Sequence, residues 1–407
     1  MQQILLINVS GDDKPGVTSA VTHVLAQYDV IILDIGQAVI HDTLSLGVLA
    51  RLSSQYEPSQ VLEEVTFAIR DLGMQMRVEP VSEASYQAWV SQQGKPRHIV
   101  SLLTRVVSAQ HIARITEVTS AHGLNIDKIV RLSGRTPLDH LDTDGKACVE
   151  FSVRGETSDL GVLRTSLLEL STDLDVDIAY QEDTIFRRHR RLVVFDMDST
   201  LIESEVIDEL AIQAGVGAEV AALTERAMHG ELDFADSFRQ RVALLEGLDE
   251  SVLETVYQDL VLTEGAEHLM QTLATLGYKT AILSGGFTYF AERIRQRLGM
   301  DYMFANELDI SDGKVTGKVS GNIVDGERKA ELLVQLAAQE VISLEQTIAV
   351  GDGANDLPML SLAGLGIAFR AKPLVRANAK QAISHLGLDG ILYLMGISDR
   401  DMVSRES

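Results

Sequence analysis

The stretch Val193–Thr200, VVFDMDST, ends an apolar run in two aspartates one residue apart, Asp196 and Asp198, followed by two hydroxyls. Asp, Ser and Thr all cap helices well, and capping accounts for Ser199 and Thr200 at most. Three further segments ask for more. Thr280–Phe287, TAILSGGF, carries an apolar strand into Ser284, Gly285 and Gly286. Lys329 stands in GERKA, residues 326–330, at the start of a helix. Thr347–Asp356, TIAVGDGAND, ends another strand in glycines, Asp352, Asn355 and Asp356. Alone, Ser-Gly-Gly is an ordinary turn and a lysine at a helix start is ordinarily solvated. Together, in this order, they describe a crevice for phosphate and a hard divalent cation. Glycines let backbone N–H groups approach an anion, and a hard divalent cation takes oxygen ligands.

The elements that must hold these residues follow from periodicity. From Leu192 onward, apolar strands alternate with helices, the pattern of an α/β doubly wound parallel sheet. Functional groups gather beyond the carboxyl ends of such strands, and period-two alternation predicts Asp196 and Asp198 on one side. Between the first and second segments, Val206–Ala214, Ala218–Met228, Phe234–Leu245 and Leu253–Leu260 read as helices outside the sheet pattern. An insertion there, about residues 203–265, would form a lid that excludes water and recognises the leaving group.

The N-terminal half repeats one unit, β-α-β-β-α-β, at residues 1–90 and again at 96–182. Such units place two helices on one face of an antiparallel sheet and leave edges available for pairing. The first copy opens with the turn Asp13-Lys14-Pro15-Gly16-Val17, where a carboxylate could meet backbone N–H groups at a helix start; an ordinary strand-to-helix turn reads the same way. In the second copy Val107-Ser108-Ala109-Gln110 replaces the Pro-Gly, which points to pairing rather than ligand binding.

Composition excludes several classes. A net charge of −24 repels nucleic acid and anionic lipid. No apolar run reaches the ~20 residues of a membrane span, and the N-terminus lacks the signature of a signal peptide. The single cysteine, Cys148, excludes an intrachain disulfide framework and fits a cytoplasmic location. The basic run Arg187-Arg188-His189-Arg190-Arg191 reads as a solvated linker or surface latch.

Residues 190–400 resemble the haloacid dehalogenase superfamily of phosphotransferases: DMDST matches its D-x-D-x-T motif and GDGAND its G-D-x-x-x-D motif. Retention of Asp198 implies phosphoryl chemistry rather than dehalogenation. The resemblance implies Mg²⁺ held by Asp196, Asp352 and the backbone carbonyl of Asp198, with Asp356 as an outer partner. It implies Asp196 as nucleophile, Asp198 as general acid and base, and Ser284 and Lys329 as phosphoryl ligands. Four stretches, DMDSTLIESEVIDELA, AMHGELDFADSFRQRVALL, GDGANDLPML and AFRAKP, resemble the phosphoserine phosphatases more particularly. By that resemblance Glu205 binds the substrate ammonium, Arg241 pairs with its carboxylate, Met228 and Phe234 close the pocket, and Gly285 and Asn355 contribute to it. The two N-terminal copies resemble ferredoxin-like α+β ACT domains, which bind amino acids at domain interfaces. Serine as effector at Asp13, Gly16 and Val17, and a homodimer, are the corresponding expectations. The competing readings are a phosphatase for another small phosphomonoester and a non-catalytic amino-acid sensor.

Overall fold

Alternation along Gln3–Asp12 and Thr43–Leu52 turns Leu5, Ile7 and Val9, and Leu44, Leu46, Val48 and Ala50, to one buried face. In the computed structural model these strands are central in an antiparallel sheet ordered Ile31–Ile40, Thr43–Leu52, Gln3–Asp12, Gln75–Val81. Helices Val17–Gln27 and Pro58–Arg70 cover that face with Val17, Val21, Leu25, Val61, Val65 and Ile69. This is one of two compact units, Met1–Lys95, and it has its own core. The structure describes residues 3–402 apart from 93, 136, 139–144, 158 and 229–231.

The second unit, Pro96–Ser407, holds both the second copy and the parallel sheet. The second copy's sheet is ordered Asn125–Arg131, Ala147–Arg154, Arg97–Thr104, Asp177–Glu182, with helices Ala109–Ala121 and Leu160–Leu174 on one face. Its central strands are buried on both sides. Val100, Leu102, Val149 and Phe151 pack under the helices, while Leu103, Cys148 and Ala179 join the core of the parallel-sheet region. Side chains complete the seam. Gln381 accepts from the Tyr180 backbone N–H at 2.9 Å and donates to its carbonyl at 2.5 Å. Asp177 accepts from Ser384 and His385 N–H at 2.8 and 2.9 Å.

The basic run corrects the solvated reading. Arg187 is 1% exposed and paired with Glu150 of the second copy, and Arg190 is 5% exposed and donates to the Arg187 carbonyl at 2.9 Å. Two of the four arginines are therefore interior struts between the copy and the sheet. Arg188, His189 and Arg191 are exposed and fit the solvated reading.

Across the large sheet the strands run Lys314–Ser320, Tyr302–Ser311, Lys279–Phe287, Leu192–Phe195, Thr347–Gly351, Leu365–Phe369, Gln381–Ile383. All neighbours are parallel except the first pair. Leu192, Val194, Ala281, Leu283 and Ala349 face one core, and Val193, Phe195, Ile282, Ile348 and Val350 the other. Burial on both faces is what a covered parallel sheet demands of its strands. The helices expected for the lid form as Val206–Ala214, Gly217–Met228, Phe234–Ala243 and Ser251–Asp259. Among the described residues no helix is long and apolar enough to cross a membrane.

Candidate active site

Because Leu192–Phe195 lies between Lys279–Phe287 and Thr347–Gly351, the carboxyl ends of all three strands open at one place. Asp196 still bonds in line with the sheet, its N–H donating to the Val350 carbonyl at 2.9 Å. Its Oδ1 accepts from Met197 N–H at 2.7 Å, and its Oδ2 faces Lys329 Nζ at 2.8 Å. Beyond it the chain leaves the pleat. The N–H groups of Leu201 and Ile202 return to the Met197 carbonyl, and Ser199 takes φ 54°. This tight turn, and not strand alternation, aims Asp198 inward. Its Oδ1 accepts from Val206 N–H at 2.9 Å, and its Oδ2 lies 3.5 Å from Ser284 Oγ.

Ser284 is fully buried, and its Oγ accepts from Gly286 N–H at 2.8 Å. A Cβ on Gly286 would sit 2.5 Å from Asp198 Oδ2, so only glycine fits the crossing. Asp325 caps helix Gly326–Gln339 by accepting from Arg328 N–H, which sets Lys329 one turn inside. The Lys329 ammonium, without solvent exposure, lies 2.6 Å from Asp356 Oδ1 as well as 2.8 Å from Asp196. Asp356 also accepts from Gly353 N–H at 2.9 Å. Asp352 accepts from the buried Thr200 hydroxyl at 3.1 Å.

Four carboxylates around one ammonium are under-neutralised. Burial, then Asp356, holds the Asp196 carboxyl well above its ordinary range, against the pull of Lys329. Burial, then Glu205, pushes Asp198 up to about 8, and burial, then Asp356, pushes Asp352 up to about 7. Burial alone would lower the Lys329 ammonium, but Asp196 and Asp356 outweigh it and raise it. Carboxylate oxygens of Asp196, Asp352 and Asp356 lie within 4.8 Å of one another, a separation at which one cation can bridge them. A hard oxygen donor set with surplus negative charge suits Mg²⁺.

A pH dependence follows. An aspartate raised from 3.8 to about 8 or 7 binds a proton in the folded protein that the unfolded chain releases. These two groups therefore make stability fall as pH rises from about 4 through about 8. In EDTA the protein should melt several degrees lower at about pH 8 than at about pH 6, and millimolar Mg²⁺ should remove the difference. A melting temperature in EDTA that rises over that interval would contradict this charge balance.

Above the cluster lies a cavity of about 960 Å³. The helical insertion contributes Glu205, Asp208, Phe234 and Arg241, and the sheet side contributes Gly285 and Asn355. Glu205 accepts from Ser199 Oγ at 2.8 Å. Burial lowers the Arg241 guanidinium, while Glu205 and Asp208 pull it back up; its buried Nε has no hydrogen-bond partner among the described residues. Phe234 closes on the sheet side: a Cβ on Gly285 would come within 2.9 Å of its ring. Phe238 continues the contact to Phe287, ring centroids 5.7 Å apart. Met228 ends its helix, and its side chain lies outside the described residues.

Sequence reasoning gave no role to Thr200, Asp208 or Lys372. Thr200 was signalled as the last residue of D-x-D-x-T. Asp208, on the helical insertion, and Lys372 also line the cavity, and no spacing rule singles them out.

At the first copy's turn, Gly16 has φ 98° and begins helix Val17–Gln27. Asp13 is exposed and Val17 is buried. The second copy starts its helix differently: Ser108 and His111 form a reciprocal cap, which needs no left-handed glycine.

The fold and site define a hydrolase of the haloacid dehalogenase-like class: that family's model matches residues 190–364, and ACT-domain models match residues 3–79 and 96–181. The chain is 40% identical over 395 residues to a phosphoserine phosphatase of Mycobacterium tuberculosis, covering 97% of this chain and 93% of that protein. It is also 40% identical over 406 residues to a phosphoserine phosphatase of Streptomyces coelicolor, covering 99% and 94% respectively. The solved structure of a probable phosphoserine phosphatase from Vibrio cholerae superposes with a TM-score of 0.58 at 35% identity, over 75% of this chain and 88% of that one. The chain belongs to the phosphoserine phosphatase family.

Proposed function

We propose that this protein hydrolyses O-phospho-L-serine to L-serine and phosphate, with residues 190–400 catalytic, a lid at about 203–265, and the modules at 1–90 and 96–182 regulatory. The observation that carries the substrate is that Arg241 and Glu205 line one cavity above Asp196. A guanidinium with an unsatisfied Nε matches a carboxylate, and Glu205 matches an ammonium. A phosphorylated amino acid offers both charges beside its phosphate.

Asp196 attacks phosphorus in line and displaces the serine alkoxide, forming an aspartyl phosphate. Asp198, protonated at neutral pH by its raised pKa, gives its proton to the leaving oxygen. It then takes a proton from the water that attacks the phosphorylated Asp196. Ser284 and Lys329 bind the phosphoryl oxygens, and Lys329 offsets the charge that Asp196 and the phosphate bring together. Mg²⁺ would be held by Asp196, Asp352 and the Asp198 backbone carbonyl, with Asp356 behind them, and it supplies charge neutralisation at the phosphate. Phe234 excludes water from the closed pocket.

Serine is the effector this reading expects at Asp13, Gly16 and Val17. The bare edge strand Ile31–Ile40, with Ile31, Ile35 and Ile40 exposed, supports a homodimer.

The test compares kcat/KM for phosphoserine, phosphothreonine and a phosphoester lacking the carboxylate, in wild type and Arg241→Ala, with serine as a second variable. Arg241→Ala should raise KM for phosphoserine by about 30-fold or more, as loss of a buried charge partner does. The ester without a carboxylate should change by no more than about threefold. Equal losses on both would remove Arg241 from substrate recognition, and turnover indifferent to serine would remove the effector.

A further inference from the structure

The lid is tied to the sheet by two chain segments that run side by side. Ile202 bridges Leu262, Glu203 N–H donates to the Val261 carbonyl at 3.0 Å, and Thr263 N–H donates to the Leu201 carbonyl at 3.0 Å. Glu264 is the residue at which the returning segment re-enters the domain. Its carbonyl accepts from Leu388 N–H at 2.7 Å, and Gly265 then starts helix Ala266–Thr275.

Two arginines hold the Glu264 carboxylate. Arg105 grips it with both ends of its fork, at 2.9 and 2.8 Å, and Arg370 reaches Oε2 at 3.1 Å. Burial raises the Glu264 carboxyl only against a larger lowering by Arg105. Arg105 lies in the second copy's strand-to-helix loop, between Arg97–Thr104 and Ala109–Ala121. That is the counterpart of the turn left open in the first copy. Arg370 sits at φ 45° and begins the rim that lines the cavity with Lys372, Pro373, Leu374 and Val375. A second tie lies beside it: Lys146, also of the second copy, pairs with Asp389, whose carboxylate packs against Gly265.

We propose that Arg105 is a positioning residue for the lid, through which the second copy holds the lid hinge at Glu264 and, by way of Arg370, the cavity rim. This rests on residues 203–265 acting as a lid over the phosphatase site. A bidentate pair fixes orientation as well as distance, so a shift of the second copy against the sheet moves the hinge with it. The loop that could bind an effector in the first copy serves here as a mechanical contact.

The test uses the full-length protein with Arg105→Ala, Arg105→Lys, Arg370→Ala and Arg105→Ala/Glu264→Gln. Arg105→Ala should speed hydrogen exchange in residues 260–266 by about fivefold and lower kcat/KM for phosphoserine by about three- to tenfold, chiefly through KM. Arg105→Lys should fall between it and wild type, and the double variant should be no worse than Arg105→Ala. Unchanged exchange at 260–266 would overturn the proposal. So would faster exchange spread evenly over residues 96–182 with no rescue by lysine, the mark of a merely structural residue. If wild type leaves phosphoserine intact but hinge exchange still responds to Arg105→Ala, the substrate reading fails and the hinge contact stands.

Discussion

Asp196→Asn is expected to lower kcat for phosphoserine by at least about 10⁴-fold while the protein stays folded. The substitution is isosteric, and the amide oxygen can keep the 2.7 Å bond from Met197 N–H. What it removes is the anionic oxygen facing Lys329, and a neutral amide does not displace an alkoxide from phosphorus. It also removes one charge from a cluster in which burial and neighbouring carboxylates push Asp196, Asp198 and Asp352 upward. Melting in EDTA should therefore be unchanged or raised. Asp196→Ala guards against slow return of the asparagine to aspartate. Turnover within about 100-fold of wild type in both variants would show that another group makes the bond to phosphorus.

Lys329→Ala is expected to be costly twice. Turnover should fall by about 10³-fold, because the phosphoryl oxygens lose a fully desolvated cation. Stability should fall by about 3–5 kcal/mol, since removing one member of a buried charge cluster leaves its partners uncompensated. Here the abandoned partners are Asp196 and Asp356, 2.8 and 2.6 Å from the ammonium. Protonation relieves facing carboxylates, so the stability loss should be smaller at about pH 5.5 than at about pH 8. Mg²⁺ should restore part of the stability without restoring turnover. Lys329→Met fills the vacated volume, so comparing it with Lys329→Ala separates the cavity contribution from the charge. Denaturant unfolding with and without Mg²⁺ measures both. A loss independent of pH and cation would mean that Lys329 stabilises by packing alone.

The first of these variants probes a residue evident from the chain alone, and the second a residue whose surroundings were not. Lys329 read as one lysine near a helix start; its complete burial between two aspartates depends on Gly326 packing against the Asn355 carbonyl, where a Cβ would come within 2.7 Å. That contact joins segments far apart in sequence.

The same division runs through the molecule. Order and type of elements were legible because they rest on local periodicity: the two β-α-β-β-α-β copies, the lid helices and the strand ends that bear Asp196, Ser284 and Asp352. The clustering of Asp196, Asp352 and Asp356 was legible because strands deliver them at fixed offsets within two short motifs. Tertiary structure alone decided which faces were covered. The first copy's central strand Gln3–Asp12 alternates buried with partly exposed residues, while its counterpart in the second copy, Arg97–Thr104, is buried beyond its first residue. Both are comparably apolar in sequence. Arg187 and Arg190 read as solvated because arginines ordinarily are. They are buried because Glu150 and Gln181, on strands of the second copy, meet them as that sheet closes on the core. Local spacing determines what each segment can become. Only packing between distant segments determines which charges lose their water, and so where Arg105, Glu264 and Lys329 acquire their partners.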